Sequence, residues 1–155
     1  MVIIKNLCRE YYRQLFELIK IAEPYKGYQA YDQFCQNMDT HQGFTYWEDG
    51  ELVGCVHFSH FFPGDSVMIH AAFHPLHKAA MNRKVMRQVF DFAFNKLKVH
   101  RVITYSIEGI SDSIMKFLYG MGFEYEGTMR EAAKLPDGMY DLNLFGMLKK
   151  DCRWL

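Results

Sequence analysis

The chain has 155 residues, 50% of them apolar and 23% charged, which describes one soluble globular domain with a sizeable core and excludes a disordered tail or a peptide scaffold. Its 18 Lys plus Arg balance 18 Asp plus Glu, so no global field draws it to nucleic acid or to an anionic membrane surface. Apolar stretches such as Ala71 to Phe73 fall far short of the ~20 residues a membrane helix needs.

Lys5 and Arg9 interrupt the apolar start, so no secretory leader is expected and the site of action reads as cytoplasmic. Cys8, Cys35, Cys55 and Cys152 are widely spaced and form no C-x-x-C pair, which argues for free thiols and against a zinc ribbon or a redox motif. After Val2 to Ile4, the segment CREYYRQLFELIKIAE places Tyr11, Leu15, Leu18, Ile19 and Ala22 on one helical face, and Pro24 and Gly27 end that helix. A second helix is expected from Tyr28 to Met38, and Gly43 opens an extended stretch. Strands FTYWE and ELVGCVHFSH flank Asp49-Gly50, a dipeptide suited to the positive φ angles of a type I′ hairpin.

Pro63-Gly64-Asp65 turns the chain into SVMIHAAFHP, whose two faces are both largely apolar, so this strand should be central in its sheet. Val85, Met86, Val89, Phe90, Ala93 and Leu97 predict a long helix from Asn82 to Lys98 with Asn82 as N-cap. RVITYSI reads as a buried β-branched strand, and Ser111 to Gly120 as a shorter helix. A strand starts at Phe123, and Pro136-Asp137-Gly138 leads into the last strand, MYDLNLFGML. The order is strand, two helices, three strands, helix, strand, helix, two strands. It describes a single mixed α/β domain over residues 1–155 whose one βαβ crossover gives a parallel pair, the kind of place where ligands bind.

Three segments in that order, EDGELVGCVHF, SIMKFLYGMGFEYEGTMR and DGMYDLNLFGML, resemble the GCN5-related N-acetyltransferase superfamily, and within it the branch of ribosomal-protein alanine acetyltransferases. The resemblance covers nearly the whole chain. It implies a mostly antiparallel sheet with one central parallel pair, helices on both faces, acetyl-CoA in a cleft between the parallel strands, and transfer of acetyl to an amine, either a protein N-terminus or a small molecule. The backbone around Ala72, Phe73 and His74 would then face the thioester. The diphosphate would sit over Lys78, Ala79, Ala80, Met81, Asn82, Arg83 and Lys84, at a helix N-terminus that favours anions.

The sequence departs from the family there. Met81 and Arg83 stand where the family's loop has glycines, and Ile110 stands where an Asn usually faces the cofactor. Two readings stay open: Lys78, Arg83, Lys84 and Arg87 neutralise phosphate directly, or the segment is a solvated first turn of a helix.

Transfer to an amine needs a proton acceptor, donors for the oxyanion and a proton source for the thiolate. Alternation puts His70, Ala72 and His74 on one strand face. His70, titrating near neutral pH, is the first candidate base, and Glu108 at the end of the parallel strand is the second. Ser113, matching a family position near the sulfur, and Tyr119 beside it in the helix are candidate donors to the thiolate; the Phe73 backbone serves the oxyanion. The seven His offer His70 and His74 on one face, too far apart for one zinc, so no metal is expected. The alternative function is a protein of this fold that has lost catalysis and serves as a binding or structural component, for example in a phage virion or host interaction, alone or as a homo-oligomer.

Overall fold

The computed structural model of the chain describes residues 1–27, 30–61, 65–80, 82–110 and 112–155, with the side chains of residues 60, 61, 78–80, 112 and 113 outside that description. Its elements are β1 (Ile3–Asn6), α1 (Tyr12–Ala22), α2 (Tyr31–Met38), β2 (Gln42–Glu48), β3 (Glu51–Phe61), β4 (Ser66–Phe73), α3 (Arg83–Asp91), β5 (Arg101–Ile107), α4 (Asp112–Met121), β6 (Glu124–Leu135) and β7 (Gly138–Leu148). The seven strands form one mixed sheet in the order β1-β2-β3-β4-β5-β7-β6. This is the α/β architecture expected from the element order, with β4 in the middle strand position.

The chain divides into two compact units, Met1–His60 with Ile69–Met86, and Phe61–Met68 with Arg87–Leu155. In the first unit, the amphipathic stripe of α1 buries Tyr12, Leu15 and Leu18 against Phe34, Cys35 and Met38 of α2 and Cys55 of β3. Tyr12 meets Phe34 edge-on with ring centres 6.1 Å apart. The expected helix start at Tyr28 falls at Tyr31 instead; residues 28 and 29 lie outside the described residues. The Asp49-Gly50 turn has φ angles of 50° and 85°, as a type I′ hairpin requires; it pairs Glu48 with Glu51 and Trp47 with Leu52, and a one-residue register shift between Tyr46 and Trp47 then brings Gly43 opposite His57.

In the second unit, Phe90 packs on Phe94 and Phe123, with ring centres 6.2 and 6.1 Å away. Phe145 and Met147 of β7 and Val102 of β5 are buried. The helix predicted to run unbroken to Lys98 is α-helical only to Asp91 and continues as a π-helical turn over Phe92–Lys96. Its wider spacing carries buried Ala93 and Phe94. Asn82 does cap α3: its Oδ1 accepts the N–H groups of Lys84 and Val85 at 3.0 and 3.2 Å.

The parallel ladder of β4 and β5 is short. Its register pairs are Ser66–Arg101, Val67–Val102 and Met68–Ile103, although β4 runs on to Phe73 and β5 to Ile107. Over that remaining length β5 stays paired with β7 as far as Ile107–Leu142. Among the described residues no helix is long and apolar enough to cross a membrane.

Candidate functional site

The predicted site residues fall in both units. His70, Ala72, Phe73, His74 and the loop into α3 belong to the first; Glu108, Ser113 and Tyr119 belong to the second. The side chains of Lys78, Ala79, Ala80 and Ser113, and all of Met81, lie outside the described residues.

In the first unit, alternation along β4 sends His70 and Phe73 to opposite faces. Phe73 lies over Gly54 of β3, where a Cβ would overlap the aromatic ring. His70 reaches the opposite parity of β3: its Nε2 shares a hydrogen bond with Ser59 Oγ at 3.2 Å, and its ring lies 4.9 Å from that of His57 with planes 16° apart. His41, at the entrance to β2, completes the group. Its Nδ1 shares a hydrogen bond with His57 Nδ1 at 2.9 Å, and its ring is 4.8 Å from His57 and 6.1 Å from His70. Gly43 permits this approach, because a Cβ there would collide with the Val56 carbonyl and the His57 Cα.

Three half-buried imidazoles in parallel contact discourage protonation of one another. Burial pushes His57 well below its ordinary value, with His70, His41 and Lys26 adding repulsion. His70 is lowered to about 4, again chiefly by burial and then by His41 and Lys26, and burial also lowers His41. The expected titration of His70 near neutral pH is thereby corrected: the ring is neutral at pH 7 and accepts a proton only as a weak base. Among the described residues no three His, Cys, Asp or Glu side chains are placed to hold a metal ion.

Tyr46 in β2 is wholly buried, and its hydroxyl has no hydrogen-bond partner among the described residues. Burial raises its pKa, so it remains a protonated donor without a taker. His74 anchors the end of β4, donating its N–H to Val53 O at 2.8 Å, while its Nδ1 accepts the Leu76 N–H. His77 pairs with Glu48 at 2.8 Å.

The N-terminus of α3 differs from the expected anion cradle. Asn82 already takes the N–H groups of Lys84 and Val85, so a phosphate would have to displace that cap to use them. Arg83, Lys84 and Arg87 are exposed.

In the second unit, Glu108 is exposed just past β5 and donates its N–H to Asp141 O at 3.0 Å. Tyr119 is 49% exposed, with its ring edge-on to Phe145 at 5.7 Å. Ser106 of β5, three residues beyond the last parallel pair, is only 4% exposed, and its Oγ has no partner among the described residues. Ser59, His57 and His41 as a group, and Tyr46 and Ser106, carry no motif in the sequence; the spacing of His57 and Ser59, two apart on one strand face, is the one signal that points to the group.

This is the fold of acyl-CoA N-acetyltransferases. No family model and no curated protein matches the sequence; solved structures do match the fold. A probable acetyltransferase from Staphylococcus epidermidis ATCC 12228 is 17% identical with a TM-score of 0.81, over 96% of this chain and 99% of that one. An N-acetyltransferase from Staphylococcus aureus Mu50 is 14% identical with a TM-score of 0.82, over 96% and 97%. A mutant form of the spermidine N-acetyltransferase SpeG from Vibrio cholerae is 16% identical with a TM-score of 0.77, over 99% and 96%.

Proposed function

We propose that this chain is an acetyl-CoA-dependent N-acetyltransferase of the GCN5-related superfamily, acting on the amine of a small molecule or of a protein N-terminus. The observation that carries the reading lies on β5, which runs on to Ile107 past its last parallel pair, Met68–Ile103, and is there paired with β7 on one edge. A strand whose ladder ends early can host an extended chain of amides by strand addition, and the pantetheine arm is such a chain.

The residues present fit acetyl-CoA in part. Ser106 offers a buried hydroxyl that lacks a partner among the described residues, and leaving such a group unsatisfied costs about 1–3 kcal/mol. Arg83, Lys84 and Arg87, all exposed on α3, would hold the diphosphate as charge-assisted donors. They take the place of the N–H groups that Asn82 occupies. When bound, acetyl-CoA supplies an acetyl group activated as a thioester. On this reading His70, neutral at pH 7, is the proton acceptor, Glu108 is the alternative base, and Ser113 or Tyr119 returns a proton to the departing thiolate. The Phe73 backbone N–H would stabilise the oxyanion.

The Asn82 cap also favours a second reading, in which the cofactor loop is closed and the chain is a catalytically inactive binding or structural protein. The melting midpoint with acetyl-CoA separates the two. A ligand at a hundredfold excess over its dissociation constant stabilises the folded state by about 2.7 kcal/mol, which for a chain of this length is a rise of roughly 5–10 °C. Because the diphosphate is held by exposed charges, the rise should shrink with added salt, whose screening length is about 10 Å at 0.1 M. No rise at low salt with millimolar acetyl-CoA refutes the enzyme reading.

A further inference from the structure

Resting on the reading of His70 as proton acceptor, we infer that Ser59 is a catalytic residue that carries the acceptor's proton to His70. The acceptor therefore has to arrive as the free amine. The geometry is a hydroxyl on β3 bonded to the imidazole of the neighbouring strand, Ser59 Oγ to His70 Nε2 at 3.2 Å. With the imidazole proton on Nδ1, the hydroxyl donates to the Nε2 lone pair and keeps its own lone pairs for an N–H of the acceptor. Ser59 and His70 are each half-buried rather than sealed in the core.

The groups facing this pair set its character. His57 lies against the His70 ring, His41 bonds His57, and Lys26, paired with Glu23 at 2.8 Å, is the nearby charge that acts on both His57 and His70. Burial, the neighbouring imidazoles and this lysine all act against positive charge here. An ammonium ion arriving at the pair meets the same opposition, and desolvating an uncompensated charge is expensive. A free amine meets no such cost.

The proton step balances without any further reagent. The lone pair of the acceptor nitrogen forms the C–N bond to the acetyl carbon. The nitrogen proton then passes to Ser59 Oγ as the proton of Ser59 passes to His70 Nε2, and the C–S electron pair leaves with sulfur. The imidazolium so formed loses its proton to water. As the C–S bond breaks the nitrogen becomes that of an N-protonated amide, a strong acid, so a base as weak as this imidazole suffices to take its proton, whereas it could not deprotonate an alkylammonium of pKa about 10.4.

The test follows release of the CoA thiol with two acceptors, a dipeptide amide whose α-amine has a pKa near 8 and a simple alkylamine with a pKa about 10.4. For each acceptor kcat/KM should rise with pH along the titration of that amine, so that at pH 7 the dipeptide amide leads by roughly a hundredfold. Ser59→Ala should lower kcat by about a hundredfold at similar KM, within the range a positioned acid–base group supplies, and Ser59→Thr, which keeps the hydroxyl, should recover most of it. Melting scans establish that each variant is folded, and Ser59→Gly serves if Ser59→Ala is not. An active wild type with an equally active Ser59→Ala overturns the inference and leaves the acetyltransferase reading standing, as does a Ser59→Thr no better than Ser59→Ala. A wild type that acetylates neither acceptor overturns that reading and the inference with it.

Discussion

Acidification should loosen the protein through its histidine group, and the size of the effect follows from His70. Its folded-state pKa is held down to about 4 by burial, then by His41 and Lys26, against 6.5 in the unfolded chain. The unfolded chain therefore binds more protons between those values. Stability from His70 is fully present above pH 6.5, falls as the pH drops below it, and is lost by pH 4. Taking the protein from pH 7 to pH 5 removes about 2 kcal/mol on this account, a fall in the melting midpoint of roughly 4–8 °C for a chain of 155 residues. His57, pushed down in the same direction, enlarges it. The assay is a series of calorimetric or circular-dichroism melts at constant ionic strength for the wild type and for His70→Gln, which keeps a hydrogen-bonding group opposite Ser59 without the titration. The difference between the two slopes isolates the imidazole. A melting midpoint as steeply dependent on pH in His70→Gln as in the wild type would refute the reasoning.

Two further outcomes are expected. Asn82→Gly should cost only a few tenths of a kcal/mol, because glycine is itself a tolerable N-cap. By freeing the Lys84 and Val85 N–H groups it should tighten acetyl-CoA binding in isothermal titration, and unchanged or weaker binding would show that the cap is no obstacle. Gly54→Ala drives a Cβ into the Phe73 ring and should destabilise by about 1–3 kcal/mol in urea melts; a second change, Phe73→Leu, should restore at least half of that, and a double variant no better than the single one would contradict the packing argument.

Local chemistry carried most of the fold. Asp49-Gly50 specified its hairpin because two positive φ angles leave few residue choices, and Asn82 announced the start of α3 because a side-chain carbonyl at that point accepts N–H groups of the first turn that have no partner within the helix. What the sequence could not reveal depends on distant pairings. That β7 inserts between β5 and β6 is a choice among edges, made by packing that joins Phe145 to Tyr119 and Tyr125. The π-helical turn at Phe92–Lys96 leaves the apolar spacing of an α-helix almost unaltered, so periodicity passes over it. Of the histidine group, His70 alone was legible as a site residue. His41 joins it solely through the β2–β3 register, and the lowered basicity of the rings comes from their mutual burial, which no residue spacing encodes.

The division of β4 bears on how the molecule can be taken apart. Ser66 to Met68 belong with the later part of the chain and Ile69 to Phe73 with the earlier part, so each compact unit is stitched from two separate stretches of sequence. Any single cut between residues 61 and 86 leaves at least one unit with portions on both fragments, and neither fragment carries a complete set of both. Dissection by truncation is therefore the wrong instrument for this protein. Its units are interleaved in sequence, so the natural dissection is complementation by two fragments rather than study of one truncated piece.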